Sequence, residues 1–592
     1  MRAGSPVALA ALGERTIAYV ADADEPTLHT IDVDTHKEIA TTRLRGRPEQ
    51  LLVLADGRVA ATLRASNAVE VLEPAVRAES GLTSRCSIET PAEPVALAET
   101  PDDATVLVTS GWGHALSAFD ARTFGASYQV KVARDPRAVV VSDDGSRAFV
   151  AHVVEARMSV VDLTTREHEV RLVDLRARLG ADATGGEATL RKGCQGFALA
   201  QVGAEGDSEL AKKMVGRVFA PMVSVNPGDG SDSSGYGTES PSEVPEVAVV
   251  DAAAERALTR SVVLPQNGTA RGECLLPRAA AYDDGSLYVT CLGIDSLVKL
   301  DARSLDPAHA ELQRWKLAAG PTGVAVDHVK HRAVVWSQFD REVAFVSTDS
   351  DAPPTRLSVS RGAEGITANV ALGRALFHQV DDTRISADGR ACASCHPDGR
   401  EDALTWSTPD GTRQTPMLAG RIADTAPYGW MGASAKLQDH LKKTFERLSG
   451  DGLPTAEVSA LVDYISTMAP PIAAGAAGAH ASEEASVERR ALVERGRALF
   501  ESSDTACSTC HDSGHAFTDG ERHQVMAQPV PGQATAFDTP SLRYVGGTAP
   551  YFHDGRYRTL DDVLTAPDHA MGKSTRLTRP DRAALVAYLE TL

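Results

Sequence analysis

The first 360 residues repeat themselves. A unit of roughly 40–55 residues recurs, clearest in "VALAETPDDATVLVTSGWGHALSAFDARTF" from Val95, "AVVVSDDGSRAFVAHVVEARMSVVDLTTRE" from Ala138 and "AAAYDDGSLYVTCLGIDSLVKLDARSL" from Ala279. Each copy reads as strand, tight turn, strand, loop, strand, then a polar turn after a closing Asp. The strands are valine-rich or alternate, as half-buried strands do. Seven units begin near Val7, Leu51, Val95, Ala138, Phe197, Ala279 and Val324. Such units close radially into an all-β seven-bladed propeller over residues 1–360, with a β-sandwich or a solenoid as the alternatives. The fifth unit is stretched by "VNPGDGSDSSGYGTESPSE" from Val225, a solvated loop by composition whose Asp spacing fits no EF-hand. The repeats show no convergent catalytic set, and a propeller by itself implies no activity.

After Pro353 the period becomes helical. "ANVALGRALFHQV" from Ala368 precedes Cys392-Ala-Ser-Cys395-His396, and "VERRALVERGRALFESS" from Val487 precedes Cys507-Ser-Thr-Cys510-His511. Downstream, "TPMLAGRIADTAPYGWMG" from Thr415 mirrors "TPSLRYVGGTAPYFHDG" from Thr539. "LPTAEVSALVDYISTM" from Leu453 mirrors "LTRPDRAALVAYLETL" from Leu577. The C-terminal part therefore reads as a mainly α tandem duplication, with units at 361–470 and 487–592 joined by an Ala/Gly-rich polar linker at 471–486.

Cys-x-x-Cys-His is the attachment signature of a c-type haem. The thiols add to the haem vinyl groups, and the adjacent histidine is placed to ligate iron. With 8 cysteines and 17 histidines in 592 residues, chance would give such a pentapeptide roughly 0.003 times. A thioredoxin-like dithiol needs a βαβ setting, and a zinc site needs both Cys pairs in one small module. Neither context is present, so two covalently bound haems c are expected, on Cys392, Cys395 and His396 and on Cys507, Cys510 and His511.

Haem c attachment implies an exported chain, in the periplasm or outside, although "MRAGSPVALAALGERTIAYV" shows no h-region or cleavage site. No apolar run is long enough for a membrane helix. Export permits disulfides among Cys86, Cys194, Cys274 and Cys291. Cys194 and Cys274, each preceding the first strand of successive units, form the favoured pair, with buried thiols as the alternative. The formal charge of −20 argues against nucleic acid and suits a basic protein partner or plain solubility.

The propeller pattern resembles the YVTN-type propellers, although no unit carries that tetrapeptide cleanly. "ALFHQVDDTRISADGRACASCHPDGREDALTW", "TPSLRYVGGTAPYFHDGRYRTLDDVL" and "LVAYLETL" resemble the bacterial dihaem cytochrome c peroxidases, a family that also holds the dihaem oxidase maturing a tryptophan-derived cofactor. The propeller is not part of the basic family. The resemblance implies two unequal haems. Haem 2 receives electrons, usually with a His/Met ligand pair, and haem 1 is where peroxide is cleaved. It implies His511 with Met571, or His569, as haem 2 ligands, and His553 near that haem. At haem 1 the position mirroring Met571 falls near Leu448, which cannot ligate iron, so either the sixth site is open or His440 or Glu446 approaches it. His440 stands where the family carries a catalytic Gln and Glu446 near its catalytic Glu. Trp406 and Trp430 are the candidates for an electron relay between the haems. The family often carries calcium between its haem units. The expected function is hydrogen peroxide reduction with electrons from a small cytochrome c or cupredoxin. The alternatives are a dihaem oxidase acting on a protein or small substrate held by the propeller, or a pure electron-transfer module docking a protein there.

Overall fold

The computed structural model of the protein describes the chain except residues 1, 76, 176–177, 180–191, 204–211, 213, 229–242, 259–260, 263–271, 363–364, 473–482 and 527–533. Most of the expected solvated loop and of the expected linker thus lies outside the described residues. The chain divides into two compact units. The first takes in residues 1–225, 243–367 and 378–380, and the second residues 368–377 and 381–592 together with 226–242.

The first unit is a seven-bladed β-propeller. Seven antiparallel sheets follow one another at 7–43, 51–89, 94–131, 136–174, 192–257, 277–316 and 321–358. The Asp that ends the third strand in five of the blades has a local cause. The Asp120 carboxylate accepts the backbone N–H groups of Arg122 and Thr123, and Asp162 those of Thr164 and Thr165. Asp251 and Asp32 cap the same turn in their blades. An Asx turn leads the chain into the outer strand. The fifth blade departs from the expected start at Phe197. Its inner edge is split into Lys192–Cys194 and Ala200–Gln201, both pairing with Arg217–Val225.

The ring closes between blades built wholly from either end of the repeat. Val7, Ala18, Val20 and Ile31 of the first blade share one core with Val334, Trp336, Val343 and Phe345 of the seventh. Above that core Asp22, fully buried, receives Arg341 at 2.5 Å and Gln338 Nε2 at 2.9 Å. A buried charge so paired avoids the cost of lone burial. Arg2–Ala3 pairs with the inner strand of the third blade, and Ser5 bridges to Leu51 of the second.

The favoured Cys194–Cys274 disulfide is overturned. Cys274 pairs with Cys291, with Cα atoms 5.1 Å apart. Both belong to the sixth blade. Cys291 ends the strand Ser286–Cys291, opposite Pro277 in register, and Cys274 lies three residues before that proline. Cys194 faces Val223 on the fifth blade and is buried there.

The second unit is mainly helical: α1 (Ala368–His378), α2 (Cys392–Cys395), α3 (Leu437–Arg447), α4 (Thr455–Thr467), α5 (Glu483–Glu501), α6 (Leu560–Thr565) and α7 (Arg579–Leu589). The duplicated "GRALF" explains how each half is pinned. A Cβ on Gly373 would stand 1.9 Å from the Ala460 carbonyl oxygen, and one on Gly496 2.0 Å from that of Ala584. The first and last helices of each half therefore cross backbone to backbone at a glycine. The phenylalanine four residues on completes the crossing, Phe377 against Tyr464 and Phe500 against Tyr588, each with ring centroids 5.4 Å apart.

Candidate haem-binding sites

In the first half the crossing of α1 and α4 backs a cavity of about 550 Å³, within the range of sites that hold small ligands. The short helix α2 feeds it. One turn, closed by the His396 N–H on the Cys392 carbonyl at 2.9 Å, turns Cys392, Cys395 and His396 all onto the cavity wall. His396 Nδ1 lies 3.2 Å from the Arg400 carbonyl, so it carries the proton and Nε2 keeps its lone pair. Burial holds the imidazole neutral, its pKa pushed down to about 4.

The second half repeats this arrangement. The His511 N–H reaches the Cys507 carbonyl at 3.1 Å, and His511 Nδ1 donates to the Phe517 carbonyl at 3.0 Å. Burial again lowers its pKa. A neutral imidazole fixed through Nδ1, beside two thiols one turn away, is the donor set that covalent haem and its iron require. Cys510, Asp519 and His523 also form the metal-competent cluster among the described residues, but its sulfur belongs to the attachment motif.

The remaining expected residues divide between the two sites. Trp406, Trp430, His440 and Glu446 all line the first cavity. Trp406 is buried, donating Nε1–H to Asp402 at 2.8 Å. Trp430 is half-buried and donates Nε1–H to the Gln414 carbonyl at 2.9 Å. Glu446 is exposed at the cavity edge on α3. His440, on the same helix, has its pKa pushed down to about 4 by burial, with Arg447, Lys443 and His396 adding to the effect. Leu448, the position mirroring Met571, caps α3 and lines the cavity. At the second site Gly572, next to Met571, lies against Cys507, a Cβ there falling 3.9 Å from Sγ. His569 is occupied: Nε2 lies 2.7 Å from the Val563 carbonyl, and Nδ1 accepts the Met571 N–H at 3.2 Å. His553 is buried and stacked on Phe537 at 3.8 Å, with its pKa pushed down to about 4 by burial.

Sequence reasoning missed Asp538 and Gln414, which stand at the same place before the mirrored Thr-Pro pairs. That duplicated position was the available signal. Asp538 lines the first cavity, and its Oδ1 is buried with no hydrogen-bond partner among the described residues. Burial and the neighbouring Asp519 push its pKa up to about 7.

A propeller followed by paired Cys-x-x-Cys-His units, each with a neutral histidine held through Nδ1, defines a propeller-fused dihaem c-type cytochrome. Residues 491–590 match the family model for di-haem cytochrome c peroxidase. The chain is 29% identical over 282 residues to the methylamine utilization protein MauG of Methylorubrum extorquens, covering 38% of this chain and 77% of that one. It is 24% identical over 331 residues to the cytochrome c peroxidase Ccp of Escherichia coli, covering 46% and 68%. Among solved structures, hydrazine synthase of Kuenenia stuttgartiensis aligns over 58% of this chain and 92% of that one, at 13% identity and TM-score 0.40. The C-terminal region is thus similar to di-haem cytochrome c peroxidases and to MauG, which are oxidoreductases. No helix among the described residues is long and apolar enough to cross a membrane.

Proposed function

We propose that the protein reduces hydrogen peroxide with electrons from a small redox protein, which enter at the His511 site and reach the peroxide at the His396 site. The observation that carries this reading is the inequality of the two sites. The first has a cavity of about 550 Å³ with an imidazole, a carboxylate and two indoles on its wall besides the attachment residues. The second has Gly572, the residue after Met571, against Cys507, and a His569 whose two nitrogens are already engaged. Bound haem supplies a redox-active iron at each site, and a methionine ligand raises the potential of the one that holds it.

The chain's own groups divide the remaining work. Glu446, at the cavity edge, takes a proton from the incoming peroxide and returns it to the departing oxygen. Trp406 and Trp430 bridge toward the second site. Asp538 suits a calcium ion, since an oxygen without a partner and a carboxyl resisting ionisation are both relieved by a cation. The charge of −20 favours a basic cytochrome or cupredoxin donor. The haem chemistry places the protein in the periplasm or outside the cell, and the propeller offers a docking face for a protein partner.

The test is peroxide consumption by the haem-loaded protein supplied with a reduced small cytochrome. Turnover is expected, falling about a hundredfold in E446Q. If peroxide changes neither the spectrum nor the donor, the protein is an electron-transfer module. The likeness to MauG keeps a second reading, an oxidase acting on another substrate. Peroxide that reacts while the donor stays reduced selects it.

A further inference from the structure

The helices α3 and α6 start alike. Lys436-Leu437-Gln438-Asp439-His440-Leu441 stands against Thr559-Leu560-Asp561-Asp562-Val563-Leu564. Leu437 and Leu441 are buried, and so are Leu560 and Leu564, so the two helices present the same face and His440 takes the place of Val563. Among the differences between the loops before the two helices, one bears on this histidine. Gly429 stands where the second half has Phe552, and the backbone is left-handed at both, with φ +83° and +76°. The reason at 429 is steric: a Cβ there would lie 2.6 Å from His440 Cε1 and 3.0 Å from Nδ1, with Nε2 farther off at 3.7 Å. Phe552 and Val563 thus have Gly429 and His440 as their counterparts, and the glycine leaves room for the imidazole on the cavity wall.

That imidazole lines the same cavity as His396. No hydrogen bond claims its ring nitrogens among the described residues. The two halves also differ past this shared helix start. The helix α6 stops at Thr565 and leads into the loop that carries Met571, whereas α3 continues to Arg447 and spans the matching stretch as helix. The half without a loop methionine is the half that carries the histidine.

We propose that His440 is the axial ligand of haem 1 opposite His396, borne by a helix, so that in the oxidised protein this site rests closed to external ligands. The inference relies on the first site carrying haem, as in the function proposed above. It does not need peroxide to be the substrate.

Full-length, haem-loaded protein is examined by absorption and electron paramagnetic resonance spectroscopy, with cyanide as the probe. The oxidised wild type is expected to hold two low-spin haems. H440V, which copies the residue of the second half, is expected to turn one haem high-spin and raise its cyanide affinity at least about tenfold. H440M is expected to return that haem to low spin with a sulfur-to-iron band and a raised potential. A wild type that is already high-spin at haem 1, or an H440V protein that stays low-spin there, overturns the assignment. Should H440V fail to fold, H440M decides: no new sulfur band means His440 was not the ligand. Peroxide turnover is scored separately. An H440V protein that opens and binds cyanide yet consumes no peroxide upholds the ligand and removes the peroxide reading.

Discussion

Trp430 and His553 occupy equivalent positions in the two haem-binding halves, and each lends its backbone carbonyl to the other half. The His553 carbonyl accepts the Gln414 N–H at 2.8 Å, and the Trp430 carbonyl accepts the Asp538 N–H at 3.0 Å. Gln414 and Asp538 are themselves equivalent, so the two bonds form a reciprocal exchange. Trp430 adds its indole N–H to the Gln414 carbonyl, which makes the backbone of Gln414, through its N–H and its carbonyl, the shared link between His553 and Trp430. W430F keeps the ring and loses that bond. Electron transfer between the two haems, followed after rapid reduction of haem 2, is expected to slow about tenfold, the effect of about 1.4 kcal/mol on a barrier. Haem content should not change. A slowing in W406F alone would assign the relay to Trp406.

Gly373 and Gly496 sit where helices meet backbone to backbone. Replacing glycine by alanine inside a helix ordinarily stabilises it by up to about 1 kcal/mol. Here the sign reverses, because the added methyl would overlap a carbonyl oxygen that the helix cannot move alone. G373A and G496A are each expected to cost about 1–3 kcal/mol. A lower midpoint in thermal denaturation of the haem-loaded protein checks this, and a neutral or stabilised G373A would refute the crossing.

Met571 is the proposed ligand at the second site because His569 has spent both ring nitrogens on the backbone. M571A is expected to lose the sulfur-to-iron band and lower the potential of haem 2. H569A should keep both and lose only about 1 kcal/mol of stability with its hydrogen bonds. Spectroelectrochemical titration separates the two outcomes.

The propeller and the haem motifs were legible because each depends on local spacing that repeats. The Asp that ends the third strand in most blades caps its own turn, and the two cysteines and histidine lie within one turn of chain. The disulfide was not legible, because Cys274 and Cys291 meet through the register of one blade, where Pro277 faces Cys291. The cavity wall was partly legible. Trp406, Trp430, His440 and Glu446 were all found, but the exposure of Glu446 and the fit of the His440 ring against Gly429 depend on how a loop folds back over α3. Asp538 escaped because its surroundings come from Trp430 of the other half and from Asp519, neither adjacent in sequence.

Asp538 makes stability depend on pH in a defined direction. Its carboxyl titrates near 7 in the folded chain, held up first by burial and then by Asp519, against an ordinary value of 3.8. Between those values the folded state holds a proton that the unfolded state has released, so this group makes stability fall as pH rises through that window. The loss is complete above about pH 7 and absent below the unfolded value. D538N removes it. The variant should therefore outlast the wild type in thermal denaturation at about pH 8 and match it at about pH 4. A cation at Oδ1 would offset the same loss, so calcium is expected to raise the wild-type midpoint at the higher pH and leave D538N unmoved. A calcium response that D538N retains would place any such ion elsewhere, and equal midpoints at both pH values would show that Asp538 ionises freely in the folded protein.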